Sequence, residues 1–134
     1  MADNLMKLKI VSPDRVFYEG KVQKVEFNTS LGEIGVLPKH IPLTVIIEPG
    51  LLSLYSEKET KQAALHAGFA EILPEAVTIL AEVIEWPEEI DISRAEAAAK
   101  RAKERIGTKT PETDMTRAET ALHRAMVRLS AAGR

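Results

Sequence analysis

Arg94, Arg101 and Arg105 stand seven and four residues apart, and Arg117, Arg124 and Arg128 repeat that spacing. In a helix such steps return nearly to one azimuth, so each set forms a row on one face. Guanidinium groups stay charged and offer a fixed fork of donors that matches phosphate or carboxylate oxygens two at a time. Two such rows brought together would make a site for a polyanion. The plainer reading is a pair of solvated basic edges, partly neutralised by Glu96–Lys100 and Lys100–Glu104 pairs. Both readings require two helices whose arginines flank small alanines.

No motif points to catalysis. The chain has no G-x-x-x-x-G-K-[ST] loop, no G-x-G-x-x-G opening a helix and no H-E-x-x-H, so no metal site is expected. His40, His66 and His123 are scattered through loop, strand and helix; His66, in an apolar strand, reads as a satisfied structural histidine. No two carboxylates sit together among apolar neighbours in the way acid–base chemistry needs. The absence of cysteine excludes disulfides and thiol chemistry and fits a reducing compartment. A net charge of −2 gives no general case for nucleic acid, although basic residues outnumber acidic ones from Arg94 onward. Met1 to Lys9 lacks the apolar run of a signal peptide, and nothing approaches the ~18 apolar residues of a membrane span. A cytoplasmic protein is expected, with membrane association only through a partner.

The elements that would position the arginines follow from a change of period at Trp86-Pro87. Before it, apolar residues recur mostly at every second position; after it they recur at helical spacing, and nearly all are alanine. Leu8 and Ile10 alternate with Lys7 and Lys9. Turns are expected at Ser12–Arg15 and Glu19-Gly20, and a bulge between Val22 and Val25 would bring those two valines into step. Two glycines and two prolines shape the loop from Thr29 to Leu43, and β-branched Thr44 to Ile47 reads as a strand buried on both sides. Leu52 and Leu54 pair across a Glu57–Thr60 hairpin with a strand whose Ala63, Leu65, Ala67 and Phe69 share a face. Val77, Ile79, Ala81 and Val83 alternate on the last strand. Strands at this spacing with no helix between them argue a β-sandwich.

Pro87 cannot donate to a ladder and stops the last strand. Asp91 or Ser93 can then cap a helix, Ser93 with Glu96 at capping-box spacing. Ala95, Ala98, Ala99, Ala102 and Ile106 form its apolar stripe, and Gly107 ends it. Asp114 starts a second helix striped by Met115, Ala118, Leu122, Ala125 and Leu129. The connector is short, so the helices fold back as an antiparallel hairpin. The fold expected is α+β, mainly β: a sandwich over residues 1–86 and a helical hairpin over 87–134. Each buried alanine methyl contributes only about 0.8 kcal/mol, so the hairpin's grip on the sandwich should be weak.

Gly32-Glu33-Ile34-Gly35-Val36-Leu37-Pro38-Lys39-His40-Ile41-Pro42-Leu43 resembles the G-x-x-G-[IV]-L-P-x-H-x-P-L motif of the ε subunits of F-type ATP synthase. Gly68-Phe69-Ala70-Glu71 followed by Val77–Ala81 resembles a second block of that family. The order of β body then Ala/Arg-rich hairpin is also similar, so the resemblance covers essentially the whole chain. It implies a ten-strand sandwich attached to the γ subunit and the c-ring, with Glu33 and His40 as rotor contacts. It also implies a hairpin that either lies on the sandwich or rises along γ, where contacts with the β and α subunits block ATP hydrolysis. Ala67 departs from the family, which often has a second glycine there.

Ile90-Asp91-Ile92-Ser93-Arg94-Ala95 resembles the I/L-D-x-x-R-A motif of the bacterial ε subunits that bind ATP in the folded state. That resemblance implies that Ile90, Asp91 and Ala95, with Glu85 nearby, line the adenine. Arg94, Arg101, Arg124 and Arg128 would meet the ribose and phosphates. No motif supplies a magnesium ligand. The expected role is a non-catalytic rotor subunit on the cytoplasmic face of the bacterial membrane, with ATP as a regulatory ligand. Two rivals are a rotor clamp whose tail inhibits hydrolysis without bound ATP, and a stand-alone nucleotide-binding regulator.

Overall fold

The computed structural model describes residues 4–108 and 110–134. Eight strands come first: β1 (Met6–Ser12), β2 (Arg15–Val22), β3 (Lys24–Thr29), β4 (Gly32–Val36), β5 (Leu43–Ile47), β6 (Gly50–Tyr55), β7 (Thr60–Ile72) and β8 (Ala76–Glu85). A 3-10 turn at Pro87–Glu89 leads to α1 (Ile92–Gly107) and α2 (Met115–Ala131). The strands form one sheet ordered β2-β1-β8-β7-β5-β3-β4, with β6 bonded to both β3 and β7. The sheet folds over a single core to which each strand contributes: Leu8, Phe17, Phe27, Val36, Val45, Leu52, Leu65 and Ile79, in strand order. The mainly β body and helical tail are as expected, but the strand count is eight, not ten.

One long strand, β7, serves two shorter partners. β5 and β6 run end to end along β7, Leu43–Ile47 opposite Ile72–Gly68 and Gly50–Tyr55 opposite Leu65–Thr60. The ladder is interrupted between them at Pro49, which has no N–H to donate. β7 itself stays continuous for 13 residues by absorbing two register shifts against β8, around Ala67.

Those shifts overturn part of the expected inward face. Ala63 and Leu65 point into the core, but beyond the shifts Ala70 and Ile72 do so, and Phe69 is left 47% exposed. β8 changes parity in step, burying Val77, Ile79 and Ala81, then Ile84 instead of Val83. Gly68 sits at the crossing with φ +134°, and a Cβ there would lie 2.0 Å from the Leu80 carbonyl oxygen. Two further expectations fail. Val22 and Val25 are not reconciled by a bulge or preceded by a turn at Glu19-Gly20; β2 runs through to Val22 and breaks at Gln23. In β5 only Val45 and Ile47 are buried, while Thr44 and Ile46 face out, because β-branching favours a strand without fixing how many of its faces are covered.

Asp91 caps α1, its Oδ1 accepting from the Arg94 N–H at 3.0 Å, and Asp114 caps α2 by the same bond from Arg117. The cap of α1 is therefore the aspartate, not Ser93, and Gly107 is the helix's last residue. The helices pack antiparallel on each other, burying Ala95, Ala99 and Ala102 of α1 and Ala118 and Ala125 of α2. Of the two, α2 is the one laid on the sheet, against β6 and β7. There Val127 forms a small second cluster with Ala64 of β7 and Ile90 of the junction, flanked by Ala131. Val127 lies outside the expected stripe because α2 buries two faces, one on α1 and one on the sheet.

Candidate functional site between the sandwich and the hairpin

A cleft of about 360 Å³ opens where the last strand, the junction and both helices meet. β8 supplies Glu85, and the turn supplies Glu89. The start of α1 supplies Asp91, Arg94 and Ala95; the next turns of α1 supply Ala98 and Arg101, and α2 supplies Arg128. The alanines matter as much as the charges: their short side chains leave the space that longer residues on that face would fill.

The lining carries three carboxylates and three guanidinium groups, but their partners differ. Glu85 Oε1 accepts from Arg128 Nε at 2.7 Å, tying β8 to α2. Glu89 Oε1 accepts from Arg15 Nη2 at 2.7 Å and from the Trp86 N–H at 2.9 Å, bonds that hold its carboxyl below the usual range. Among the described residues, neither Arg94 nor Arg101 lies within ion-pair distance of a carboxylate. The cleft therefore presents two cations of α1 that form no ion pair among the described residues, together with the paired Arg128 of α2 and the Asp91 carboxylate. Such an arrangement suits an anion with several charged oxygens. The i,i+4 pairs expected to neutralise α1 through Lys100 are not among the ion pairs formed by the described residues.

Six of the eight residues assigned from sequence to a ligand site thus line one cleft: Glu85, Asp91, Arg94, Ala95, Arg101 and Arg128. Ile90 is behind it, 8% exposed and packed on Ala64 and Val127. Arg124, one turn before Arg128 on α2, is exposed and outside the lining. Glu89 and Ala98 line the cleft without having been singled out, though Ala98 stood in the α1 stripe. The anchoring of Glu89 by Arg15, 74 residues earlier, has no local signal.

His66 lies under the docked helix, 2% exposed. Its Nε2 is 3.2 Å from Glu85 Oε1, but its buried Nδ1 has no partner among the described residues, so it is not the satisfied histidine the sequence implied. Burial pushes the imidazole below its ordinary pKa, and the Arg128 guanidinium adds to that push against the pull of Glu85. The two residues expected to contact other subunits are far from this network in sequence: Glu33 is exposed on β4, and His40 is half-buried in the following loop. Leu31 and Ile41 in the same segment are 85% and 73% exposed. Among the described residues no three His, Cys, Asp or Glu side chains gather as a metal site would need. No helix there is long and apolar enough to cross a membrane.

The chain thus combines a folded-over, mostly antiparallel sheet, in which only β1 and β8 pair in parallel among the described residues, with an Ala/Arg helical hairpin and a charged cleft at their junction. Residues 5–87 match the family model of the ATP synthase delta/epsilon chain β-sandwich domain, and residues 88–133 that of its long α-helix domain. The chain belongs to the ATP synthase delta/epsilon chain family, whose members are subunits and not enzymes in their own right. It is 42% identical over 133 residues to the ATP synthase epsilon chain of Caldanaerobacter subterraneus subsp. tengcongensis, covering 98% of this chain and 96% of that one. It is 44% identical over 127 residues to that of Ruminiclostridium cellulolyticum, covering 95% of each. The fold is similar to a chain in the cryo-EM structure of the Euglena gracilis mitochondrial ATP synthase, with a TM-score of 0.84 at 24% identity, over 98% of this chain and 82% of that one.

Proposed function

We propose that this chain is a rotor subunit of a bacterial F-type ATP synthase. Its sandwich joins the γ subunit to the c-ring, and its hairpin restrains ATP hydrolysis unless ATP holds it down. The family and the named relatives support the first part. The observation that carries the second is the cleft, where Arg94 and Arg101 of α1, without ion-pair partners among the described residues, stand opposite Arg128 of α2.

Residues from both helices and from β8 line the cleft, so a ligand there would bridge three elements that separate when the hairpin rises. Arg94, Arg101 and Arg128 would hold the phosphates, with Arg124 within one helical turn. Ala95, beside the Asp91 cap and backed by Ile90, would leave room for the base. A ligand that binds only the docked form stabilises it by ~2.7 kcal/mol at a hundredfold excess over its dissociation constant. A grip made of Val127 and a few alanines is weak enough for that bias to matter. Released, the hairpin would extend along γ and meet the β and α subunits. Glu33 and His40, with their exposed apolar neighbours Leu31 and Ile41, would face the rotor. The complex would then carry the chain to the cytoplasmic face of the membrane.

Titration calorimetry with ATP, with and without magnesium, tests the nucleotide reading. The suitable variant is Arg94→Ala with Arg101→Ala, because neither guanidinium supports the fold, whereas Asp91→Ala would also remove the cap of α1. Saturable binding by the wild type that is lost in the double variant is expected. No heat from the wild type at millimolar ATP would leave the rotor role and remove the sensor.

A further inference from the structure

His66 sits at a position that no charged motif predicts, on the bulged part of β7 where the register against β8 shifts. Ala64 packs under α2 with Val127, and His66, two residues on and 2% exposed, sits beside Glu85 and near the arginines of α2. The imidazole is thus covered by the hairpin, and it would meet water if the hairpin lifted. Around it stand Glu85 from β8 and Arg128 and Arg124 from α2. β6 has no charged side chain between Gly50 and Leu54, and in the turn touching β7 Glu89 is already held by Arg15.

We propose that His66 is a positioning residue whose neutral imidazole, by donating from Nε2 to the Glu85 carboxylate that Arg128 also grips, makes docking of the helical hairpin sensitive to protons. With Nε2 donating, Nδ1 is the bare acceptor, buried without a partner among the described residues. A proton added there would place an N–H with nothing to bond, in a site already bordered by two guanidinium groups. The docked form therefore excludes that proton, and the lifted form accepts it as an ordinary histidine does.

The sign follows. The docked His66 has the lowered pKa, so the docked state binds fewer protons than the lifted one. Docking is fully supported above the ordinary histidine value of about 6.5 and weakens as pH falls from there towards the lowered value, by at most about tenfold per pH unit. Acidification would free the hairpin independently of any nucleotide.

The test uses the full chain without nucleotide, so it stands or falls apart from the nucleotide reading. The cysteine-free sequence allows Lys58→Cys and Ser130→Cys, on the exposed β6–β7 turn and on α2, to carry an energy-transfer pair. High transfer at about pH 7.5 that drops by about pH 5.5 is expected. His66→Gln keeps an N–H donor without a titrating group and should stay docked at both values. His123→Gln, which removes the exposed histidine of α2, should drop as the wild type does. Transfer that is flat in the wild type, low at both values, or falling equally in His66→Gln overturns the proposal. Should His66→Gln fail to dock, the NMR titration of wild-type His66 decides. A midpoint below the ordinary value, coincident with the loss of transfer, supports the proposal. An ordinary midpoint with transfer unmoved overturns it.

Discussion

The sandwich and the hairpin bury different things. The sandwich encloses Phe27, Leu8, Ile10, Leu52, Leu54 and Ile72, each at most 1% exposed, inside ladders that close most of their backbone bonds. The hairpin buries alanines against itself and, among the described residues, meets the sandwich through Val127, Ala131 and one ion pair from Arg128 to Glu85. At about 0.8 kcal/mol per buried methylene, the second contact contributes far less than the first, which is what the proposed release of the hairpin requires. The junction marks where one becomes the other. Trp86 stacks on Phe17 at 4.2 Å and Glu89 is tied to Arg15, so the chain is fixed to β2 as far as Glu89. In the proposed movement the pivot would lie just after Glu89, at Ile90 and the Asp91 cap, at the rim of the charged cleft.

Substitutions of graded effect can break or sharpen this contrast. Leu52→Ala empties the sandwich core and should cost about 2–5 kcal/mol in urea unfolding. Gly68→Ala forces a side chain into a positive-φ site and against the Leu80 carbonyl oxygen. It should cost about 2–4 kcal/mol by the same measurement and disturb the bulge that seats His66. Val127→Ala should take roughly 1.5 kcal/mol from docking alone, read as faster amide exchange in α2 with the sandwich's urea midpoint unmoved. Asp114→Ala removes the α2 cap and should cost about 1 kcal/mol, seen as fraying of the first turn by NMR. If Val127→Ala lowered the sandwich's own midpoint as Leu52→Ala does, the two regions would be one cooperative unit and the contrast would be wrong.

How much of this was legible in the sequence depended on whether a signal was local. Alternation in β1, the period change at Pro87, the helix stripes and the caps at Asp91 and Asp114 are all written in neighbouring residues. The arginine spacing placed Arg94 and Arg101 on one helical face, and the structure brings them to one cleft with Arg128. What the sequence concealed was non-local. The register shifts around Ala67 reverse which residues of β7 face the core, and the one local hint is Gly68, an interior-strand glycine of the kind that marks a bulge. Glu89 and His66 take their roles from Arg15 and from an α2 residue more than 60 positions away. The second buried face of α2, at Val127, exists only because the hairpin lies on β7.

A nucleotide is proposed to hold the hairpin to the sandwich without altering the sandwich itself. Amide hydrogen exchange with and without ATP tests it most directly. At a hundredfold excess over its dissociation constant, ATP should slow exchange in α2, and in the part of α1 that lines the cleft, by roughly a hundredfold, leaving core amides of β1, β7 and β8 unchanged. Unchanged exchange in the helices, or equal slowing throughout the chain, would contradict a ligand-gated hairpin.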